Sequence, residues 1–68
     1  MNLKGIRIKR KLTQAELANS SGIAQSTIHY LESGKQSPTE RTLKKLATAL
    51  DVDIMELIQP ESEARANG

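Results

Sequence analysis

The sequence contains no cysteine, tryptophan or phenylalanine, and only one histidine and one tyrosine occur among its 68 residues. The absence of cysteine excludes a disulfide framework, a thiolate zinc site and a cysteine nucleophile. A single histidine excludes any site that needs two imidazole ligands, and no serine and histidine are arranged as a nucleophile and its base. We therefore expect no enzyme activity, no metal and no cofactor.

Long apolar runs are also missing. No stretch approaches the roughly 18 apolar residues of a membrane span, and residues 1–7 (MNLKGIR) lack the apolar centre of a signal peptide. We expect one cytoplasmic domain that binds no membrane and is nucleoid-associated if the source is bacterial. The 37% of hydrophobic residues is enough for one small core.

The charge is distributed unevenly along the chain. The formal net charge is +2, but residues 1–11 carry +5 and residues 51–68 carry −4. One end of the molecule can therefore attract a polyanion that the other end repels. The near-neutral sum argues mildly against a nucleic-acid partner, and a solvated helix face is the alternative interpretation of the basic block.

Apolar residues recur at helical spacing, and nothing alternates with the period of a strand. We expect an all-α fold, a compact five-helix bundle over residues 1–58, followed by a disordered tail over residues 59–68. The predicted helices are a first with Leu3, Ile6 and Arg10 on one face, a second from Thr13 to Gly22, a third from about Gln25 to Ser33, a fourth that ends near Leu50, and a short fifth that buries Leu57.

Several helix starts have recognisable signals. The segments Thr13–Glu16 and Asp53–Glu56 each have the spacing of a capping box, in which the first side chain and the last exchange hydrogen bonds with backbone amides. The fourth helix begins near Pro38, which we place in its first turn. Either Ser37 or Thr39 can be the capping residue of this helix.

The second and third helices, joined through Gly22, predict a helix-turn-helix, in which the outer face of the second member is free to enter a major groove. The full pattern resembles the phage repressor and Cro-type family, also called the xenobiotic-response-element type, over about residues 3–58. The resemblance implies a lambda-repressor-like domain that binds operator DNA as a two-fold dimer. It rests on Leu12-Thr13-Gln14-Ala15-Glu16-Leu17-Ala18, Gly22, Ile28, Leu31-Glu32-Ser33-Gly34-Lys35, Pro38 and the leucine pattern of residues 43–50.

The third helix offers candidate base contacts. If Ile28 and Leu31 point inward, the outward half carries Gln25, Ser26, His29, Tyr30 and Ser33. Gln25 is the best base reader, because a carboxamide can pair with both N6 and N7 of adenine. The resemblance implies base contacts from Gln25, Ser26 and Tyr30. A partly buried surface aromatic is the alternative for Tyr30.

Candidate phosphate contacts flank this helix. Gln14 begins the second helix, where free amides and the helix dipole favour an anion, and the resemblance implies that it contacts a phosphate. A lone surface histidine is solvated or lies beside a phosphate, and we assign the latter role to His29. The resemblance implies further backbone contacts from Thr27, Lys35, Gln36 and Ser37. Weaker candidates, for which a solvated face is the alternative, are Lys9, Arg10 and Lys11.

Two residues of the pattern are interpreted as structural. The resemblance implies that Arg7 and Glu32 form an ion pair between the first and third helices.

Two further positions are unusual. Ala24 departs from the family pattern, because it occupies the cap position of the third helix, where serine or threonine is usual. Ile8 lies off the inward face of the first helix and is either a lone exposed aliphatic or part of a protein contact.

We therefore expect a non-enzymatic, sequence-specific DNA-binding regulator that acts as a repressor. Its partner is double-stranded DNA with a near-palindromic operator, on which a homodimer seats two recognition helices about 34 Å apart. Ile54, Met55 and Ile58 are the expected dimer contacts, unless they complete the core. The alternative is a protein-interaction module of the same fold, antitoxin-like or adaptor, that binds through Ile8 or the fifth helix.

Overall fold

The computed structural model describes residues 1–59, which form five helices and no strands. The predicted all-α five-helix fold is confirmed, while residues 60–68 of the predicted tail lie outside the described residues. No helix in the described part of the chain has both the length and the apolar character needed to cross a membrane. The helices are α1 (Leu3–Lys9), α2 (Gln14–Ser21), α3 (Gln25–Glu32), α4 (Glu40–Leu50) and α5 (Ile54–Ile58).

Every helix contributes apolar side chains to one core. α2 packs against both α3 and α4, whereas α5 packs against α1 and α4. Complete burial of a leucine or isoleucine side chain stabilises a fold by about 1.5–3 kcal/mol, so a few such residues hold the helix-turn-helix on α4. The fully buried side chains are Leu3, Leu17, Ile28, Leu46, Leu50 and Leu57.

The two glycine turns adopt left-handed conformations that favour glycine. Gly22, at φ 75°, ends α2, and its amide donates to the Ala18 carbonyl oxygen at 2.9 Å. Gly34, at φ 80°, follows α3, where the Lys35 amide donates to the Tyr30 carbonyl oxygen at 2.9 Å. This last bond closes a Schellman turn. Both turns form at the positions that the sequence predicts.

The capping box of α2 is confirmed. The Glu16 amide donates to Thr13 Oγ1 at 3.0 Å, and the Thr13 amide donates to Glu16 Oε1 at 2.8 Å. At α5, the Asp53 amide donates to Glu56 Oε1 at 3.1 Å. These bonds satisfy amides that have no partner within the helix.

The start of α4 corrects one expectation. Thr39 caps the helix, because its Oγ1 accepts from the Thr42 amide at 3.1 Å. Thr39 is therefore the cap rather than Ser37. Pro38 precedes the cap and lies outside the helix, so its predicted place in the first turn is wrong.

The end of α1 corrects another. α1 ends at Lys9, and Arg10 is an exposed capping residue rather than a member of the inner face. Arg7, which is 9% exposed, joins Leu3 and Ile6 on that face. The Arg10 guanidinium instead reaches the far end of α4, where Nη2 donates to the Asp51 carbonyl oxygen at 3.3 Å.

Ala24 caps α3 without a side-chain hydrogen bond. We expect Ala24→Ser to raise the free energy of unfolding by about 1 kcal/mol, because a serine hydroxyl accepts from the first-turn amides. Urea unfolding measures the change. The control is Ala15→Ser at an exposed position in the first turn of α2, which Thr13 already caps, so stability should change by only a few tenths of a kcal/mol, roughly. Equal effects at the two positions would contradict the assignment of Ala24 as the cap.

Candidate nucleic-acid interface

α3 presents two chemically different faces. Ile28 and Leu31 are buried and fix the helix to the core. The opposite face is polar and carries no lysine, arginine or carboxylate, and its residues Gln25, Ser26, His29, Tyr30 and Ser33 are all exposed. Hydrogen-bonding groups of this kind can read the edges of bases, for which charge is not required.

Tyr30 is the only aromatic residue of the sequence other than the histidine beside it. Its side chain is 45% exposed, and its ring centroid lies 5.6 Å from that of His29 with the planes tilted by 59°. The Tyr30 ring therefore presents both an open face and a hydroxyl. Ser26 lies one helical turn earlier on the same side, so the two residues can act together.

The predicted phosphate contacts lie around α3. Thr27 is half-buried in the first turn of α3, and Gln14 is half-buried at the start of α2. His29 is exposed on α3 itself, and Lys35, Gln36 and Ser37 are exposed in the segment that connects α3 to α4. The Schellman turn at Gly34 ends α3, and the basic and polar side chains of this segment follow directly after it.

A bidentate ion pair connects α1 to α3. Arg7 Nε donates to Glu32 Oε2 at 2.6 Å, and Arg7 Nη2 donates to Glu32 Oε1 at 3.1 Å. Arg7 Nη1 donates to the Leu12 carbonyl oxygen at 2.7 Å. The Arg7 and Glu32 side chains retain only 11% and 4% of their exposure. One guanidinium thus fixes α1, the α1–α2 linker and α3 relative to one another.

The environment of this pair favours both charges. Burial by itself raises the pKa of Glu32, but hydrogen bonds from Arg7 and Gln14 and the positive charge of Arg7 outweigh it and hold the pKa below the ordinary value of 4.5. The hydrogen bond to Glu32 raises the pKa of Arg7. Both groups are therefore ionised at neutral pH.

A polar recess of about 260 Å³ opens beside the pair. Arg7 and Glu32 neutralise each other in its lining, which leaves the Lys4 ammonium and several neutral hydrogen-bonding groups that can donate to an anion. Sequence reasoning did not assign a role to Lys4 or Ser33, although Lys4 lies three residues before Arg7 on the same side of α1. The recess is lined by Lys4, Arg7, Gln14, His29, Glu32 and Ser33.

The sequence and geometry define a helix-turn-helix domain: two short helices joined by a left-handed glycine, with a polar outer face on the second. The family model described as helix-turn-helix matches residues 3–57, and the chain belongs to this family. This match, together with the phage repressors among the relatives of the chain, confirms the resemblance noted from the sequence. Within residues 1–59, no group of three or more acidic, histidine or cysteine side chains is placed to hold a metal ion.

Curated relatives carry regulator or repressor names. An uncharacterized HTH-type transcriptional regulator, y4dJ, of Sinorhizobium fredii is 40% identical over 62 residues, which is 91% of this chain and 80% of that protein. The cryptic phage CTXphi transcriptional repressor RstR of Vibrio cholerae is 39% identical over 82% of this chain and 50% of its own length. The immunity repressor protein of Bacillus phage phi105 is 32% identical over 88% of this chain and 42% of its own length. The chain thus spans half or less of the two repressors.

The Arg7–Glu32 pair predicts a specific dependence of stability on pH. Because the pKa of Glu32 is lowered on folding, its contribution is present above about pH 4.5 and is lost as the pH falls through the folded-state pKa. We expect Glu32→Gln to lower the free energy of unfolding by about 2 kcal/mol at pH 7. The difference from the wild type should shrink toward pH 3, as measured by urea unfolding across this range.

The matched control is Glu40→Gln, which removes an exposed carboxylate that lies 3.7 Å from Lys44. Exposed pairs contribute little, so this change should alter stability by less than about 0.5 kcal/mol at any pH. A Glu32→Gln difference that does not vary with pH would contradict the account of the pair.

Proposed function

We propose that the chain is a sequence-specific DNA-binding transcriptional regulator, acting as a repressor without enzymatic activity. The observation that carries the proposal is the exposed polar face of α3, held outward by the burial of Ile28 and Leu31. An α-helix fits the major groove, where each base pair presents a distinct pattern of donors and acceptors. The regulator and repressor names of the relatives support the same function.

In this proposal Gln25, Ser26 and Tyr30 contact base edges. Gln25 is the first residue of α3 and is exposed, and recognition helices of this class read bases with their N-terminal residues. Its carboxamide can donate to N7 of adenine and accept from N6. Ser26 and Tyr30 extend the reading surface by one helical turn.

Phosphate contacts would fix the orientation of α3 in the groove, because such contacts position a protein without reading sequence. They come from both helices of the motif and from the segment after it. Neutral donors predominate, which suits the modest net charge of +2. The proposed contacts are Gln14, Thr27, His29, Lys35, Gln36 and Ser37.

A homodimer on a near-palindromic operator would place two copies of α3 in successive major grooves. α5 supports this arrangement with apolar surface, since Met55 is 64% exposed and Ile58 is 44% exposed. A groove of about 650 Å³ between α4 and α5 is lined in part by Val52, Ile54 and Met55. Burial of this surface against a second copy would stabilise the dimer.

One observation favours the alternative of a protein-interaction module. Ile8 on α1 is 55% exposed, and a partner protein could cover it. A module of this kind would have no preference for a DNA sequence. The sequence preference and the salt dependence of DNA affinity therefore separate the two functions.

We expect Gln25→Ala to relax the preference at one operator position and to cost about 1–3 kcal/mol of binding free energy there, because the bidentate contact to adenine is lost. Competition binding against single-base operator variants measures this change. Gln36→Ala is the matched control, since loss of a phosphate contact should weaken all sequences equally. If Gln25→Ala also weakens every sequence equally, Gln25 contacts the backbone rather than a base.

Salt dependence tests the phosphate contacts independently. Each neutralised phosphate should add about 0.9 to the slope of log affinity against log salt concentration. We expect Lys35→Ala to reduce this slope by about one for each DNA-bound copy, whereas the neutral change Gln36→Ala should leave it unchanged. Fluorescence anisotropy in the presence of competitor DNA provides the measurement. Affinity that is insensitive to salt and sequence would favour the interaction module.

A further inference from the structure

We propose that Glu32 is a positioning residue that orients the Gln14 carboxamide for contact with a DNA phosphate. This inference rests on the proposed DNA-binding function and assigns Glu32 a role beyond its ion pair. The observation is a hydrogen bond across the motif, in which Gln14 Nε2 donates to Glu32 Oε1 at 3.1 Å.

Glu32 can hold the amide in only one orientation. An ionised carboxylate accepts hydrogen bonds but cannot donate them, so Gln14 must present its NH₂ group and not its carbonyl oxygen. Glu32 is itself fixed, because its side chain is 4% exposed and both of its oxygens accept from Arg7. The orientation of the Gln14 amide is thus set by the Glu32 carboxylate itself.

This orientation matters for an anion. A glutamine side chain on a helix surface can rotate its amide, and in one of the two orientations the carbonyl oxygen faces the ligand. A carbonyl oxygen repels a phosphate oxygen, since both are acceptors. The bond to Glu32 removes that unproductive orientation before DNA arrives, which reduces the cost of ordering the side chain on binding.

The amide retains a donor for the phosphate. The NH₂ group has two hydrogens, of which Glu32 engages one. Gln14 also lines the recess that contains Lys4, His29 and Ser33, and Lys4 adds a positive charge on the same side of α1. The second N–H of Gln14 can therefore donate to an oxygen atom in the recess while the first stays on Glu32.

A double-mutant cycle on operator affinity tests the proposal. In the wild type, Gln14→Ala should weaken operator binding about tenfold, as expected for the loss of a hydrogen bond to a charged group. Glu32→Gln changes the acceptor without changing its size. The remaining oxygen of residue 32 faces Arg7 Nε, which makes the shortest contact, and its NH₂ group then faces Gln14 and favours the unproductive orientation.

We therefore expect Gln14→Ala to weaken binding less than about threefold in the Glu32→Gln background. The control background is Arg7→Lys, which breaks the bidentate pair but leaves the carboxylate in place, and there the tenfold effect should persist. Circular dichroism at the binding temperature verifies that every variant is folded. Equal effects of Gln14→Ala in all three backgrounds would overturn the positioning role and leave Glu32 a structural residue.

NMR of the wild-type chain gives an independent reading if a variant does not fold. Operator DNA should shift mainly the Gln14 side-chain amide proton that does not face Glu32. Equal shifts, or none, would contradict the proposal. The proposed function itself fails only if the wild-type chain shows no preference for any DNA sequence, and this outcome is distinct from the failure of the Gln14 predictions.

Discussion

The bidentate contact between Arg7 and Glu32 is the interaction on which the arrangement of the motif depends. α3 has only eight residues, and a helix this short is not stable by itself in water. Its outer face contributes nothing to the core, so Ile28, Leu31 and the Glu32 carboxylate must hold it. Ile28 and Leu31 fix its depth in the core, and the ion pair fixes its C-terminal end against α1. The exposed face of α3 then has one orientation relative to the rest of the domain.

This arrangement changes the meaning of the charge distribution. Two of the five cations in residues 1–11 have internal partners: Arg7 is paired with Glu32, and Arg10 donates to the Asp51 carbonyl. The acidic residues of the described C-terminal part lie around α5, which packs against α1 and α4 rather than beside the outer face of α3. The general attraction for a polyanion is therefore modest. Under the proposed function, discrimination between DNA sequences would rest on the uncharged side chains of α3.

The sequence predicted those features that depend on neighbouring residues. The capping box at Thr13 involves residues three apart, and the turn at Gly22 needs one left-handed residue, so both were recognisable. Arg10 was wrongly placed on the inner face of α1, because the residue pattern does not show that the helix ends at Lys9, one residue before it. Two hydroxyl residues near Pro38 could cap α4, and only geometry selects Thr39. The Gln14–Glu32 bond joins side chains 18 positions apart, and such a contact appears only when the helices are assembled.

Selection of bound sites from a random DNA pool tests the central claim, that α3 reads bases in the major groove, most directly. We expect enrichment of two related half-sites whose centres are about one helical turn, roughly 34 Å, apart. One enriched position in each half-site should lose its preference when the selection is repeated with Gln25→Ala. Retention of DNA without any enriched sequence, or an enriched site that is identical for the wild type and Gln25→Ala, would contradict base reading by α3.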